Sequence, residues 1–404
     1  MALTLFDGQN FSGRSEALKA FAWREGVKGQ YLHPALEVNL SGFATTVGGE
    51  LRLHPEQAAL PAEVRHILDD GVSALPETQK LRSLSGGETV RLIATCALRS
   101  GAPRVAMDCA LEQLDAETRG RLFNGVMKPL SASVDIAVAD NASADLRGGF
   151  TEVRAFGSSQ LDLNAHIGEF TENLRSGMVT APAIDLKGLS FRYPGARRPI
   201  FDRCDFRLEP GRVYLLKAPN GAGKSTLARL LTGVLKPTRG RIIVDGAAHA
   251  PSSSNARLFF YAFQNPASQV IGTSAAGYLQ LISRASCNRS TMLRGEWSFT
   301  PQTIQRAFGL DPFATTEPFD LPFVALKRLT MAAALLGGAP WLYFDEPALT
   351  ADENSRQALR DLFSRLCRAG FGLVVVSHGE EFDGLTEAFP LTIAEGKLQR
   401  RVDG

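Results

Sequence analysis

No stretch of this sequence is long and apolar enough to read as a membrane span. The longest apolar run, Leu329 to Phe344, is broken by Gly337, Gly338 and Pro340, whereas a helical span needs about 20 uninterrupted apolar residues. Cysteine is scarce: Cys96, Cys109, Cys204, Cys287 and Cys367 show no paired spacing. That argues against a disulfide framework and against a zinc site, and fits a reducing cytosol. An excess of one charge is also lacking, with 44 Lys and Arg against 42 Asp and Glu and a net charge of +2. The arginines are scattered among acidic residues and form no basic block, so there is no electrostatic case for nucleic acid. The beginning, MALTLFDGQNF, has neither a basic start nor an apolar core with a cleavage site, and no signal peptide is expected. Any membrane part of the function would then lie on another chain. What remains is a chain of 404 residues, 44% hydrophobic, enough for two or three ordinary globular domains.

The chain reads as a degenerate tandem repeat. SLSGGETVRLIATCALRSGAPRVAMD (83–108) aligns without gaps to the last 26 residues of FDLPFVALKRLTMAAALLGGAPWLYFD (319–345). In each, 24 positions lead from the first Leu (Leu84, Leu321) to the closing Asp (Asp108, Asp345), and a second Asp follows seven later (Asp115, Asp352). Residues 1–156 form the shorter unit and start almost directly at their own glycine turn. Residues 157–183 are polar with mixed spacing and read as a linker with room for one helix. Residues 184–404 form the longer unit.

Within 184–404, residues 184–193 alternate as a strand, 212–217 form a short apolar strand, and a helix is expected from Lys224 to about Leu235. WLYF (341–344) and GLVVVS (372–377) are apolar runs suited to a sheet covered on both faces. Helical spacing marks 303–309 and 354–368. This alternation predicts a parallel α/β core.

Between the second strand and the first helix lies Ala218-Pro-Asn220-Gly221-Ala222-Gly223-Lys224-Ser225-Thr226. Glycines let a backbone curl around a phosphate chain, and the following helix offers its positive N-terminus. In this pattern Lys224 reaches the β- and γ-phosphates and Ser225 ligates Mg²⁺. Ala218 stands where such motifs usually begin with glycine. A purely structural glycine turn is the competing reading. Asp345 and Glu346 close the apolar run WLYF, where α/β sheets bind ligands. Asp345 would hold Mg²⁺ through water, and Glu346 would orient or deprotonate an attacking water.

The order GAGKST, FQNP, a signature helix, FDEP and VSH resembles the nucleotide-binding subunits of ABC transporters. The resemblance covers essentially all of 184–404 and, at lower similarity, most of 1–156. It implies an α/β fold of two tandem P-loop cassettes, the N-terminal one truncated and degenerate, with ATP and Mg²⁺ as ligands. It also implies roles. Tyr193 in FRYPG would stack on adenine, Gln264 would contact Mg²⁺ and the water, and His378 would stand at the γ-phosphate. Leu349-Thr350-Ala351-Asp352 would touch the opposite cassette, and LTIAEGKLQRR would be a closing hairpin. Tyr193 and Gln264 also read as ordinary turn residues, and His378 as a capping residue. SFRYPG, FQNPASQ and the tandem arrangement resemble energy-coupling-factor importers of vitamins and metal ions, although these motifs also occur elsewhere among ABC proteins.

In this family two cassettes close head to tail, each ATP held between the P-loop of one and the LSGGQ signature of the other. Leu84-Ser85-Gly86-Gly87-Glu88 keeps that signature, while Leu321-Pro322-Phe323-Val324-Ala325 does not. Pro322 removes an amide donor, and Phe323 and Val324 place bulk where phosphate should enter. The N-terminal half fails in the opposite way. Its P-loop ends Gly13-Arg14-Ser15, Cys109 follows Asp108 where a catalytic Glu is expected, Leu32 falls at the loop-glutamine position and Asp140 at the switch-histidine position. An upstream segment that would offer an aromatic to adenine is not expected. The expectation is one competent site, built from Lys224, Asp345, Glu346 and His378 with Ser85, Gly86 and Gly87, and one degenerate site around Gly13, Arg14, Ser15, Asp108 and Cys109. The halves would pair within one chain or between two copies. The expected function is the ATP-hydrolysing subunit of a membrane transporter, peripheral on the cytoplasmic face and bound to transmembrane subunits. The alternatives are a soluble ABC ATPase outside transport or an ATP-dependent regulatory sensor.

Overall fold

The apolar runs fold as parallel strands in both halves of the chain. The computed structural model describes residues 2–7, 14–23, 29–33, 39–54, 75–81, 84, 86–99, 101–109, 111, 114, 116–140, 143–156, 163–172, 174, 179–219, 221–248, 258–286, 299–377 and 379–401. Two units are distinguished, Met1–Leu161 with Leu349–Asp352, and Asp162–Ala348 with Glu353–Gly404. Among the described residues no helix is long and apolar enough to cross a membrane. The four described cysteines are buried and none is in a disulfide.

The first unit has strands β1 (Leu3–Asp7), β2 (Gln30–Leu32), β3 (Arg104–Asp108), β4 (Asp135–Ala139) and β5 (Glu152–Ala155). They form one sheet in the order β2-β3-β4-β1-β5, and every pairing is parallel. Its core gathers Leu3, Val105, Ile136 and Val138 of the strands with Val90, Ile93 and Ala97 of the helix Gly86–Arg99.

The second unit adds a four-stranded antiparallel sheet to a parallel one. Strands β6 (Ile184–Phe191), β7 (Phe201–Leu208), β9 (Arg239–Val244) and β10 (Ala247–Ala248) lie in the order β10-β9-β6-β7. Strands β8 (Val213–Leu216), β11 (Phe259–Ala262), β12 (Trp341–Asp345), β13 (Gly372–Val376), β14 (Ala388–Ala394) and β15 (Lys397–Arg400) lie in the order β11-β12-β13-β8-β14-β15. Only the last pair, β14 with β15, is antiparallel. VYLL, WLYFD and GLVVV are buried at every position, as central parallel strands covered on both sides must be. Helix Glu353–Arg368 turns Ala358, Leu359, Leu362, Phe363 and Leu366 inward, the spacing of an amphipathic helix. Gly372 is glycine for lack of room: a Cβ there would stand 2.3 Å from the Trp341 ring.

Within 157–183 lies a helix, Leu163–Glu172. Ile167 and Phe170 are buried, the Phe170 ring lies 4.6 Å from that of Phe299, and the Trp341 indole donates to the Pro182 carbonyl at 2.8 Å. The expected helix after the glycine turn ends at Leu231 rather than near Leu235.

The two parallel sheets share the strand order β2-β3-β4-β1-β5 and β11-β12-β13-β8-β14, so the registers can be compared position by position. Asp108 pairs with Ala139 and Asp345 with Val376. Phe6 pairs with Ala139 and Leu216 with Val376, which makes Arg14 the counterpart of Lys224. Two sequence assignments need correction. Tyr31 lies opposite Ala106 and Tyr261 opposite Tyr343, so Leu32 matches Ala262 and is a buried core residue, not the counterpart of Gln264. That counterpart is Pro34, outside the described residues. Asp140 follows Ala139 directly and matches Ser377; the counterpart of His378 is Asn141, also outside the described residues. Both errors come from counting offsets without the hydrogen-bonded register that fixes them.

Candidate functional site

Strands β8 and β12 flank β13, and the chain leaving each one supplies the site. After β8, Gly221 and Gly223 take φ of +80° and +112°, values L side chains rarely adopt. A Cβ on Gly223 would stand 2.4 Å from Ile200 Cγ2. Gly223 then caps the helix Lys224–Leu231, whose first amides face the loop. The Tyr343 hydroxyl donates to the Lys224 carbonyl at 2.8 Å, fastening that helix start to β12.

Tyr193, Ile200, Gly221, Gly223, Lys224, Ser225, Thr226, Gln264, Asp345 and Glu346 line one pocket of about 350 Å³. They come from four separate segments of the second unit. The Lys224 ammonium donates to the Ala218 and Pro219 carbonyls at 2.8 and 3.4 Å. Burial lowers its pKa, and the Glu346 and Asp345 carboxylates pull it back up. The Tyr193 hydroxyl lies 3.2 Å from Thr226 Oγ1, and its ring meets Phe191 edge-on at 4.9 Å.

Asp345 and Glu346 are both buried. Asp345 Oδ2 accepts from the Tyr261 hydroxyl at 2.9 Å and from Ser225 Oγ at 3.4 Å. Burial raises the Asp345 pKa; the Tyr261 hydrogen bond, Lys327 and Lys224 oppose it. Burial first, and then Asp345, raise the Glu346 pKa, while Lys327 opposes. Burial and Asp345 push the Tyr261 phenol far up, so it stays a donor. Glu346 has φ of +51°, an uncommon conformation for a residue with a side chain; its N–H donates a hydrogen bond to the Val376 carbonyl at 3.1 Å, which holds it there. Such strain gathers at functional turns.

Thus Tyr193, Gly221, Gly223, Lys224, Ser225, Thr226, Gln264, Asp345 and Glu346 are brought together as expected. Ala222 instead packs against the core. Asn220 and His378 lie outside the described residues. Two participants were missed. Tyr261 lies in the aromatic run LFFYA (258–262), where nothing local marks it as a site residue. Lys327 is buried in the helix Phe323–Leu336; a cation inside a run as apolar as FVALKRLTMAAALL was the available signal, because such a charge needs partners.

The first unit repeats the geometry with other chemistry. Cys109 has φ of +52° and its amide donates to the Ala139 carbonyl at 2.7 Å, matching Glu346 and Val376. The Tyr31 hydroxyl donates to Asp108 Oδ2 at 2.6 Å, matching Tyr261 and Asp345. Arg14 is buried with Nη2 3.7 Å from the Cys109 sulfur. Ser15 is half-buried in the helix Arg14–Ala22. Gly13 and Ser85 lie outside the described residues, and Gly86 and Gly87 open the helix Gly86–Arg99. In the second unit Pro322 takes the N-cap position without a side-chain cap, and the helix begins at Phe323.

Comparison with known proteins places these features in a family. The ABC transporter family model matches residues 201–349. The cytochrome c biogenesis ATP-binding export protein CcmA of Rhodospirillum rubrum is 32% identical over 209 residues, covering 50% of this chain and 82% of that protein. The energy-coupling factor transporter ATP-binding protein EcfA1 of Thermotoga maritima is 28% identical over 199 residues, 49% of this chain and 74% of that protein. An uncharacterized ABC transporter ATP-binding protein of Mycobacterium tuberculosis is 28% identical over 422 aligned positions, 96% of this chain and 56% of that protein.

Proposed function

This chain belongs to the family of ABC transporter ATP-binding proteins, and from that premise we propose that it is the ATP-hydrolysing subunit of a membrane transporter with one competent ATP site per chain. One observation carries the reading: nine residues expected from sequence to bind or hydrolyse ATP line a single pocket.

In this reading the amides of the glycine loop and the start of helix Lys224–Leu231 receive the phosphates, and Lys224 turns from the loop carbonyls to the β- and γ-phosphates. Tyr193 meets the adenine. Among the described residues no cluster of His, Cys, Asp or Glu could hold a metal alone. Ser225, Gln264 and Asp345 fit Mg²⁺ held jointly with phosphate oxygens, the usual manner for this ion. Bound there, the ion would neutralise charge developing on the phosphates. Glu346, its carboxyl pKa raised by burial, orients the water and takes its proton as the water attacks the γ-phosphorus and the bond to ADP breaks. His378, outside the described residues, is given the γ-phosphate by the family resemblance alone.

The competent site needs a second cassette. Pro322, Phe323 and Val324 replace the amides and space a phosphate clamp requires, whereas Ser85, Gly86 and Gly87 retain them. Arg14 and Cys109 replace the lysine and the base in the other half, and a thiol is no substitute for a carboxylate base. We therefore pair the P-loop of the second unit with the signature of the first, in one chain or between two copies. Transmembrane subunits, contacted from the cytoplasmic face, would receive the motion. Glu346→Gln is the test: steady-state ATPase is expected to vanish while ATP binding persists. A variant that hydrolyses ATP at the parental rate would refute the assignment.

A further inference from the structure

Lys327 is 4% exposed in a helix that is buried along almost its whole length. Burying an ammonium is strongly unfavourable unless its donors are met. Its donors are met here by three backbone carbonyls, of Glu346 at 2.7 Å, Gln264 at 3.1 Å and Asp345 at 3.5 Å. Three acceptors match the three N–H groups of an ammonium. They belong to two different segments: the chain leaving β11, which carries Gln264, and the chain leaving β12, which carries both carboxylates. The Phe323 ring, one turn back on the same helix, lies 5.5 Å from Lys327 Nζ, a cation–π distance.

The other half shows what the lysine adds. In the gapless repeat frame Val90 is the counterpart of Lys327, and it is a buried core residue. Cys109 adopts the same left-handed turn as Glu346 with a valine at the position of the lysine. The turn therefore does not require the lysine. What it contributes is the tie between that turn and the Gln264 backbone, and it stands only in the half that has a carboxylate base.

We propose that Lys327 is a positioning residue for ATP hydrolysis, its ammonium joining the backbone of Gln264 to that of Asp345 and Glu346 so that the loop glutamine and the two carboxylates keep one geometry. The proposal rests on the site reading above. Removing its donors should loosen Gln264 relative to Asp345, and so weaken use of Mg²⁺ and turnover more than nucleotide binding.

The experiment uses the full chain with Lys327→Met, which keeps the aliphatic length and loses all three donors, and Lys327→Gln, which keeps two. ATP affinity is measured without Mg²⁺, and kcat and the half-saturating Mg²⁺ concentration are measured by steady-state ATPase. For Lys327→Met the expected result is a kcat loss of about 10- to 100-fold and a comparable rise in Mg²⁺ demand, the range for residues that support metal-site ligands, with Mg²⁺-free ATP affinity within about twofold. Lys327→Gln should fall between, and it decides by the same readouts if Lys327→Met does not fold. A purely structural lysine would lower thermal stability and leave kcat and Mg²⁺ demand at the parental values, which overturns the proposal. Glu346→Gln runs alongside. An inactive Glu346→Gln with parental Lys327 variants sinks this inference alone; an active Glu346→Gln overturns the underlying reading and this inference with it.

Discussion

The two halves hold the same hydrogen bond, tyrosine hydroxyl to strand-end aspartate, so one substitution can be made in both. Tyr261→Phe removes the donor at 2.9 Å from Asp345 Oδ2, and Tyr31→Phe removes the donor at 2.6 Å from Asp108 Oδ2. Both aspartates are buried, so water does not readily replace the lost partner. A hydrogen bond to a charged group contributes about 1.5–3 kcal/mol. For domains of this size each kcal/mol shifts Tm by about 2–4 °C, so each variant should melt several degrees lower. Their effects on catalysis should diverge. Asp345 in the reading above holds Mg²⁺, and misplacing it by that energy lowers kcat/KM about 10- to 100-fold at 1.4 kcal/mol per decade. In the same reading Asp108, beside Cys109, has no part in hydrolysis, so Tyr31→Phe should keep parental ATPase below its melting transition. Thermal unfolding and steady-state ATPase on the same preparations check both statements. Equal losses of activity in the two variants would refute the one-competent-half reasoning, and parental activity in Tyr261→Phe would refute the role given to Asp345.

Gly223→Ala combines a φ of +112° with a Cβ placed 2.4 Å from Ile200 Cγ2; strain at such a site costs about 1–3 kcal/mol, and nucleotide titration should show weakened ATP binding alongside a lower Tm. Gly372→Ala drives a methyl to 2.3 Å from the Trp341 ring, an overpacking that costs about 1–3 kcal/mol. Because Gly372 lies at the end of β13 remote from Val376, Tm should fall while ATP affinity measured below the transition stays parental.

The P-loop, Gln264, Asp345 and Glu346 were legible because phosphate and metal chemistry constrains residue type within a few positions of one another. The parallel sheet was legible from buried runs such as WLYF and GLVVV. Less legible was anything set by contact between distant segments. Tyr261 and Lys327 act across 84 and 63 positions of chain respectively, on Asp345 and Gln264, and nothing local marks those partners. Leu32 and Asp140 were misassigned for the same reason: a one- or two-residue offset is invisible until β2 and β4 are paired with β3. The antiparallel strands β7 and β9 also escaped notice, since exposed charged residues such as Arg203, Asp205 and Arg241 interrupt any regular alternation of burial along them.

The central claim is that one ATP is hydrolysed by the P-loop of the second unit only when the signature of the first closes over it. Steady-state ATPase of the full chain carrying Ser85→Ala tests it most directly, because Ser85 lies in the half with no base of its own. Loss of a phosphate-clamping donor should cost about 100-fold or more in kcat, with ATP still bound at Lys224. Undiminished hydrolysis in Ser85→Ala would contradict the account.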